Sequence, residues 1–258
     1  MPKTTVRDGR EMLRGDVTLA QEGRNMIYQH RLVIARGGKL EQRHKHFQAV
    51  SMQALDDHGS KLVGAWEVWI GPDAGCAIWQ LREHQSLAAW EQHRERAMAD
   101  NALGQEQNKG LYPALDFVDT AILRLTDFSP SFQPIWPALD AVRGRPRGFI
   151  EQRILSFKPG TAAAHHALYQ ENVKSALERN GATLLAFFDT VIGPGTTNTG
   201  SHRSVELRWF PDLTHWQAWR ETHEHDADLA TLIKTRWLGT IERIDSTLLR
   251  PMDYSRIR

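Results

Sequence analysis

The segment Phe149-Ile-Glu-Gln-Arg-Ile-Leu-Ser-Phe-Lys-Pro-Gly160 restates Ile27-Tyr-Gln-His-Arg-Leu-Val-Ile-Ala-Arg-Gly-Gly38. Each alternates apolar and polar positions, is rich in β-branched or aromatic residues, and ends in glycine, so each reads as a strand with two unlike faces that runs into a turn. The likeness spreads outward from this pair. Sliding the chain on itself by 122 to 126 residues lays Ile27-Tyr28-Gln29 on Ile150-Glu151-Gln152, Gly37 on Gly160, and Ile70-Gly71-Pro72 on Ile192-Gly193-Pro194. Further along, Leu87, Trp90, Arg94, Glu95 and Asp100 fall on Leu213, Trp216, Arg220, Glu221 and Asp226. Asp119, Arg124 and Asp127 then fall on Asp245, Arg250 and Asp253. The offset grows through a longer loop, Gly195 to His202, in the second copy. Collinear matches over this length mark an internal duplication.

Both copies carry the same order of elements. After the first strands come helices over 39–58 and 161–180, ended by Gly59 and Gly181. Second strands over 62–70 and 184–192 run into Gly-Pro turns, and third strands follow over 77–82 and 204–209. Ser86 and Asp212 are the expected N-caps of the next helices. Last strands cover 117–125 and 243–249. The order β-α-β-β-α-β is the ferredoxin-like plait, whose bare sheet face needs a partner. The expected fold is therefore α+β: two fused ferredoxin-like repeats, 26–128 and 149–258, closing into one pseudo-dimeric α/β barrel. Residues 1–25 form a polar N-terminal arm. Residues 129–148, with Pro130, Pro134, Pro137 and Pro146, form a linker.

An alternating strand, Lys158-Pro159-Gly160, a helix, a Gly-rich hairpin and a Trp-rich second helix together resemble the NIPSNAP family, within the dimeric α/β-barrel superfamily. The resemblance covers both repeats. It is closer in the second, since the first has Arg36-Gly37-Gly38 in place of Lys-Pro-Gly. It implies the barrel, with two halves standing in for two subunits. The wider superfamily holds cofactor-independent monooxygenases, isomerases, cyclases and haem proteins, while NIPSNAP members themselves are often described as binding proteins. Fold alone does not choose among these.

Bulk properties narrow the field. Apolar residues make up 41% and charged residues 24%, as in ordinary soluble domains. A net charge of +1 gives no electrostatic footprint for nucleic acid, and the arginines at 143, 145 and 147 read as a solvated linker. Cys76 is the lone cysteine, which excludes an intrachain disulfide and a cysteine zinc site and suits a reducing, cytoplasmic setting. Residues 1–25 lack the apolar core of a secretory signal, and no apolar run is long enough to span a membrane. Dinucleotide, Walker A, nucleophile-elbow and zincin motifs are absent.

Twelve histidines invite a metal reading. His44 with His46, and His223 with His225, stand two apart on expected helices and point away from each other; no metal site is expected. Polar residues within strands that enclose a barrel say more, because a shielded polar group needs a partner or a ligand. His30, Glu67, Arg153 and Asp189 are the candidate catalytic groups: His30 as base, Arg153 as oxyanion partner, Glu67 or Asp189 as second proton carrier. Gln29, Gln152 and Glu206 are candidate ligand contacts, and Trp66 and Trp79 candidate pocket walls. Gln80, opposite number of Glu206, belongs to the same polar set. Matched pairs such as Asp119/Asp245 and Arg124/Arg250 read as architecture. The unmatched His93/Trp219, and Tyr28 and His30 set against Glu151 and Arg153, read as specialisation of one half.

The expected function is that of a small-molecule enzyme, handling a hydrophobic, aromatic or polyketide-like substrate inside the barrel by proton transfer without a bound cofactor. It requires an interior cavity of a few hundred Å³ on the order of known small-molecule sites. The alternative is a non-catalytic binding protein with a packed interior and an exposed apolar patch. Relatives on this fold add haem as a further possibility, with His93, His215 or His223 as axial ligand. The protein is expected as a monomeric pseudo-dimer or a homodimer of such units.

Overall fold

The computed structural model describes residues 26–130, 148–193, 196–197 and 200–257. The polar arm, most of the Pro-rich linker with its arginine cluster and Trp136, and the side chains of His223 and Glu224 lie outside the described residues.

The first repeat runs β1 (Ile27–Ala35), α1 (residues 40–57), β2 (Lys61–Ile70), β3 (Ala77–His84), α2 (Leu87–Ala99), α3 (residues 101–114) and β4 (Leu115–Leu125). The second runs β5 (Phe149–Phe157), α4 (residues 162–179), β6 (Thr183–Ile192), β7 (Arg203–Phe210), α5 (Leu213–His225), α6 (residues 227–240) and β8 (Ile241–Pro251), with a two-residue hairpin between β6 and β7. Ser86 and Asp212 cap their helices as expected, accepting from the backbone N–H groups of Ala89 and His215 at 3.1 and 2.9 Å. Asp100 and Asp226 repeat the device one helix later.

The eight strands close into a single antiparallel barrel in the order β1-β3-β2-β8-β5-β7-β6-β4. Each repeat supplies four adjacent strands, and the two seams are equivalent: β2 pairs with β8 and β4 with β6. This is the isologous geometry of a two-fold dimer built within one chain. At one seam Arg250 donates to Glu67 at 2.9 Å; at the other Arg124 stands opposite Asp189. Arg124 and Arg250 are architectural, as their matching suggests.

The pairing corrects the repeat register of the first strands. Leu32 faces Trp79 as Ile154 faces Val205. Tyr28 therefore corresponds to Ile150, Gln29 to Glu151, His30 to Gln152 and Arg31 to Arg153, one residue away from the match the sequence suggested. Gly38 and Gly160, both at positive φ (72° and 76°), are the true turn partners. A slip of one residue exchanges the two faces of a strand, so the supposed contrast between His30 and Arg153 compared an inward residue with an outward one.

Inward positions of all eight strands fill the barrel. Tyr28, Leu32, Ile34, Trp66, Val68, Trp79, Leu123, Ile150, Phe188, Val205, Leu207 and Leu249 pack into one core cluster. Gly64 is required where Trp66 lies back over its own strand: a Cβ there would fall 2.0 Å from the ring. Outward faces carry the helices. Four π-helical turns interrupt α1, α3, α4 and α6, at Phe47–Ser51, Gln107–Leu111, Tyr169–Val173 and Ile233–Trp237. They fall at corresponding places in the two repeats, and such turns gather at functional sites.

Candidate functional site

The residues singled out from the sequence occupy five separate places. His30 and Gln152 meet across the pseudo-two-fold axis inside the barrel, with His30 Nε2 and Gln152 Oε1 at 2.8 Å. The His30 ring stacks on Trp79 at 4.2 Å between centroids. Burial lowers the pKa of His30 to about 4, against a smaller opposing effect of the Gln152 bond, so the ring is neutral at physiological pH. The free space here is about 20 Å³, room for no more than a water. The interior cavity that the enzyme reading required is therefore not met, and the packed interior is the one that the alternative, a non-catalytic binding protein, called for. An eight-stranded barrel is only just wide enough for its own side chains, and Trp66, Trp79, Tyr28 and Phe188 use that width. Trp66 is fully buried and walls no pocket.

Arg153 and Glu206 lie on the other face of the sheet, under α4 and α6. Glu206 has no exposure. It accepts from Arg208 Nε at 2.6 Å and Nη2 at 2.9 Å, from Arg153 Nη1 at 3.4 Å, and from the Tyr169 hydroxyl. Glu151 lies 3.5 Å from Arg208 and adds a second carboxylate. Burial would raise the Glu206 pKa; the charges of Arg208 and Arg153 outweigh it and hold the group below the ordinary value. Tyr169, Phe187, Trp219 and Trp237 pack in the same core cluster, with Arg153 over the Trp237 ring and Arg208 over that of Trp219, and Glu151, Arg153 and Trp219 also line an open groove with Trp216, Arg220 and Thr247. The remaining two candidates sit at the seams. Glu67 is held by Arg250, and Asp189 by Ser204 Oγ at 2.6 Å and His166 Nε2 at 3.1 Å. His30, Arg153, Glu67 and Asp189 do not converge on one reacting atom.

The corresponding layer of the first repeat is hollow. Between the outer face of β1, β3 and β4 and the helices α1, α2 and α3 lies a cavity of about 290 Å³. Its lining combines apolar groups, among them Phe47, Leu55, Leu103 and Leu111, with Arg31, Arg43, Arg82, Gln80, His58 and His93. Both π turns of this repeat contribute, through Phe47, Ser51, Gln107 and Leu111. The pseudo-symmetry shows how the space arises. Row by row across the sheet, Arg31–Gln80–Ala65 stands where the second repeat has Arg153–Glu206–Phe187. Gln29–Arg82 stands in the place of Glu151–Arg208. From the helices, His93 replaces Trp219 and Leu111 replaces Trp237.

Polar atoms facing this space lack partners within the described residues: Nε of Arg31, Arg43 and Arg82, Nε2 of Gln80, Oγ of Ser51, and Nδ1 of His58 and His93. Burial, then the charge of Arg82, lowers the His93 pKa to about 4, which leaves a neutral imidazole. His58 lies 3.3 Å from Asp100, a pairing that Asn180 and Asp226 reproduce in the second repeat. Gln80 and His93 stood out in the sequence. The three arginines did not, and the correct register of β1 against β5 would have exposed Arg31 beside Arg153. Gln29, opposite Arg82 on the same face, does not line the cavity, and Gln152 lies inside the barrel with His30.

Among the described residues no group of His, Cys, Asp and Glu is arranged to hold a metal. Of the histidines considered for haem, His215 is exposed and tied to Asp212 at 2.8 Å, while His93 faces a space of about 290 Å³. That is the lower end of small-molecule sites and does not fit a tetrapyrrole. Among the described residues no helix is long and apolar enough to cross a membrane.

Comparison with known proteins agrees with this geometry at the level of fold. The family model described as NIPSNAP matches residues 28–130 and 150–256. A candidate monooxygenase from Lactobacillus acidophilus NCFM is 8% identical at a TM-score of 0.55, over 88% of this chain and 94% of that one. An anthrone oxidase-like protein is 9% identical at a TM-score of 0.58, over 88% and 92%. An uncharacterised NIPSNAP-like domain protein from Burkholderia xenovorans is 21% identical over 42% of this chain and 90% of its own, at a TM-score of 0.39. No curated protein matches the chain.

Proposed function

The chain belongs to the NIPSNAP family, matched over both repeats, and from that premise we propose that it is a small-molecule enzyme whose substrate lies between the sheet and the helices of the first repeat, not inside the barrel. The observation that carries this reading is the cavity of about 290 Å³ beside His93 and Leu111, whose equivalents in the second repeat are the bulkier, buried Trp219 and Trp237. Protein interiors are close-packed, with few voids larger than a water molecule. The chemistry suggested is proton transfer without a tightly bound cofactor. His93, neutral and with an unpartnered Nδ1, is placed to exchange a proton, and Arg82 or Arg31 to hold an oxyanion as it forms. The second repeat, with its arginines already matched to Glu151 and Glu206, serves as scaffold. A binding protein without turnover would use the same cavity, and loss of turnover but not of binding in His93→Phe separates the two.

The test is to close the space with the residue the sister repeat uses. Leu111→Trp copies Trp237 into the first repeat. It should leave folding intact and abolish the thermal stabilisation that small aromatic probes give the unmodified protein. Equal stabilisation of the variant by the same probes would place the ligand elsewhere.

A further inference from the structure

The two repeats differ in charge at equivalent places. In the second, Arg153 and Arg208 share the carboxylates of Glu206 and Glu151. In the first, the same two positions are Arg31 and Arg82, but both acids have become amides, Gln80 and Gln29. A third cation, Arg43, stands where the second repeat has His165. Arg43 and Arg82 are buried and Arg31 is partly so. Their recorded bonds are to neutral groups: Arg82 Nη2 donates to Gln80 Oε1 at 3.0 Å, and Arg43 Nη1 donates to the Tyr254 hydroxyl at 3.2 Å. Burial, then mutual repulsion, lowers the pKa of Arg82 and brings that of Arg31 to about 10. Buried charges are ordinarily paired. Three guanidinium groups around a cavity with no carboxylate on its lining are a site short of an anion.

We infer that the ligand of this cavity is a compact organic acid, whose carboxylate reaches Arg31 and Arg82 beside the Gln80 amide and supplies there the charge that Glu206 supplies between Arg153 and Arg208. The second repeat is the template: one carboxylate, bridging two guanidinium groups from adjacent strands, is the group this sheet is built to surround. A carboxylate accepts such paired donors bidentately. Phe47, Leu55, Leu103 and Leu111 line the remainder of the space and require an apolar body behind the acid. This inference rests on the proposed site and adds the class of its substrate.

The experiment uses the full chain, 2-naphthoate and benzoate as probes, and their neutral amides as controls. Binding is read by calorimetry and thermal shift on the unmodified protein, Gln80→Glu and Arg82→Gln. Gln80→Glu restores the internal carboxylate. It should raise the melting temperature without ligand and abolish binding of the acids. Arg82→Gln should weaken the acids by about 10- to 100-fold, the loss of one charge-assisted bond, and should not change the response to the amides. Amides that bind the unmodified protein as tightly as the acids would overturn the inference and leave the site in place. A Gln80→Glu variant that melts lower than the unmodified protein would overturn it as well, since the arginines would then not lack an anion. Failure of acids and amides alike would remove the proposed site with it.

Discussion

Replacing Glu206 by glutamine isolates what one buried carboxylate contributes to this fold. The change is nearly isosteric, and Gln80 shows that the same sheet position accepts a glutamine in the other repeat. No cavity forms, so the cost is electrostatic. Arg208 is 1% exposed and donates two hydrogen bonds of 2.6 and 2.9 Å to this acid. Removing one member of a buried ion pair costs about 3–5 kcal/mol where the other is left without a counter-charge; Glu151, 3.5 Å from Arg208, keeps the loss towards the lower end of that range. For a chain of this size that lowers the melting temperature by about 6–20 °C. The pH dependence supplies a second check. The Glu206 pKa is depressed in the folded state, where Arg208 and Arg153 overcome the opposing effect of burial. Its contribution is thus fully present above the unfolded glutamate value, about 4.3, and is lost as pH falls through the folded value. The gap between the unmodified protein and Glu206→Gln should be widest near pH 7 and narrow towards pH 3. Urea unfolding at several pH values measures it. A gap below about 1 kcal/mol at pH 7, or one that does not narrow in acid, would refute the reasoning.

Burial, as the leading cause, lowers the pKa of His30, His44 and His93 to about 4 and that of His84 and His165 to about 3. The unfolded chain binds these protons near pH 6.5, so stability should be full above that value and fall steadily towards pH 4; a urea midpoint at pH 5 equal to that at pH 7 would contradict this. Gly64→Ala drives a Cβ to 2.0 Å from the fully buried Trp66 ring and should cost about 1–3 kcal/mol in chemical denaturation. Gly104→Ala, in α3 with nothing within 4 Å of its new Cβ, should instead gain up to about 1 kcal/mol; a loss there would mean the helix is strained.

Elements and topology were legible because they depend on local pattern. The two helix ranges read from the sequence, 39–58 and 161–180, agree within about a residue and each strand within about two, since glycine turns punctuate them directly, and Ser86 and Asp212 mark where α2 and α5 begin; α3 and α6 were missed. Closure of the barrel followed from repetition. The site was not legible, for two physical reasons. Strand alternation leaves open which parity faces inward, and a match at Ile27 and Ile150 that looked natural reversed it. Barrel volume, too, is set by strand number and side-chain bulk together, which only the closed structure combines: Trp66 and Trp79 read as walls of a pocket and are its filling.

Fusion explains how the two layers of such a molecule can differ in packing and charge. In a two-fold homodimer every residue occurs twice, so a substitution that opens a cavity opens two, and one that removes a buried acid strands two sets of arginines. The bond between His30 and Gln152 shows the constraint lifted at the axis itself. In an identical pair the same residue would face its own copy, and two imidazoles would have to divide donor and acceptor roles between them. Joined in one chain, one partner became an amide with a fixed acceptor. The same freedom let Gln80 and Gln29 arise opposite Glu206 and Glu151. The second repeat retained its two ion-paired arginines and its Trp219 and Trp237 packing, enough to hold the shared barrel closed. The first could then give up stability for a space with unmatched charge, which a folding unit that had to stabilise itself twice over would not tolerate.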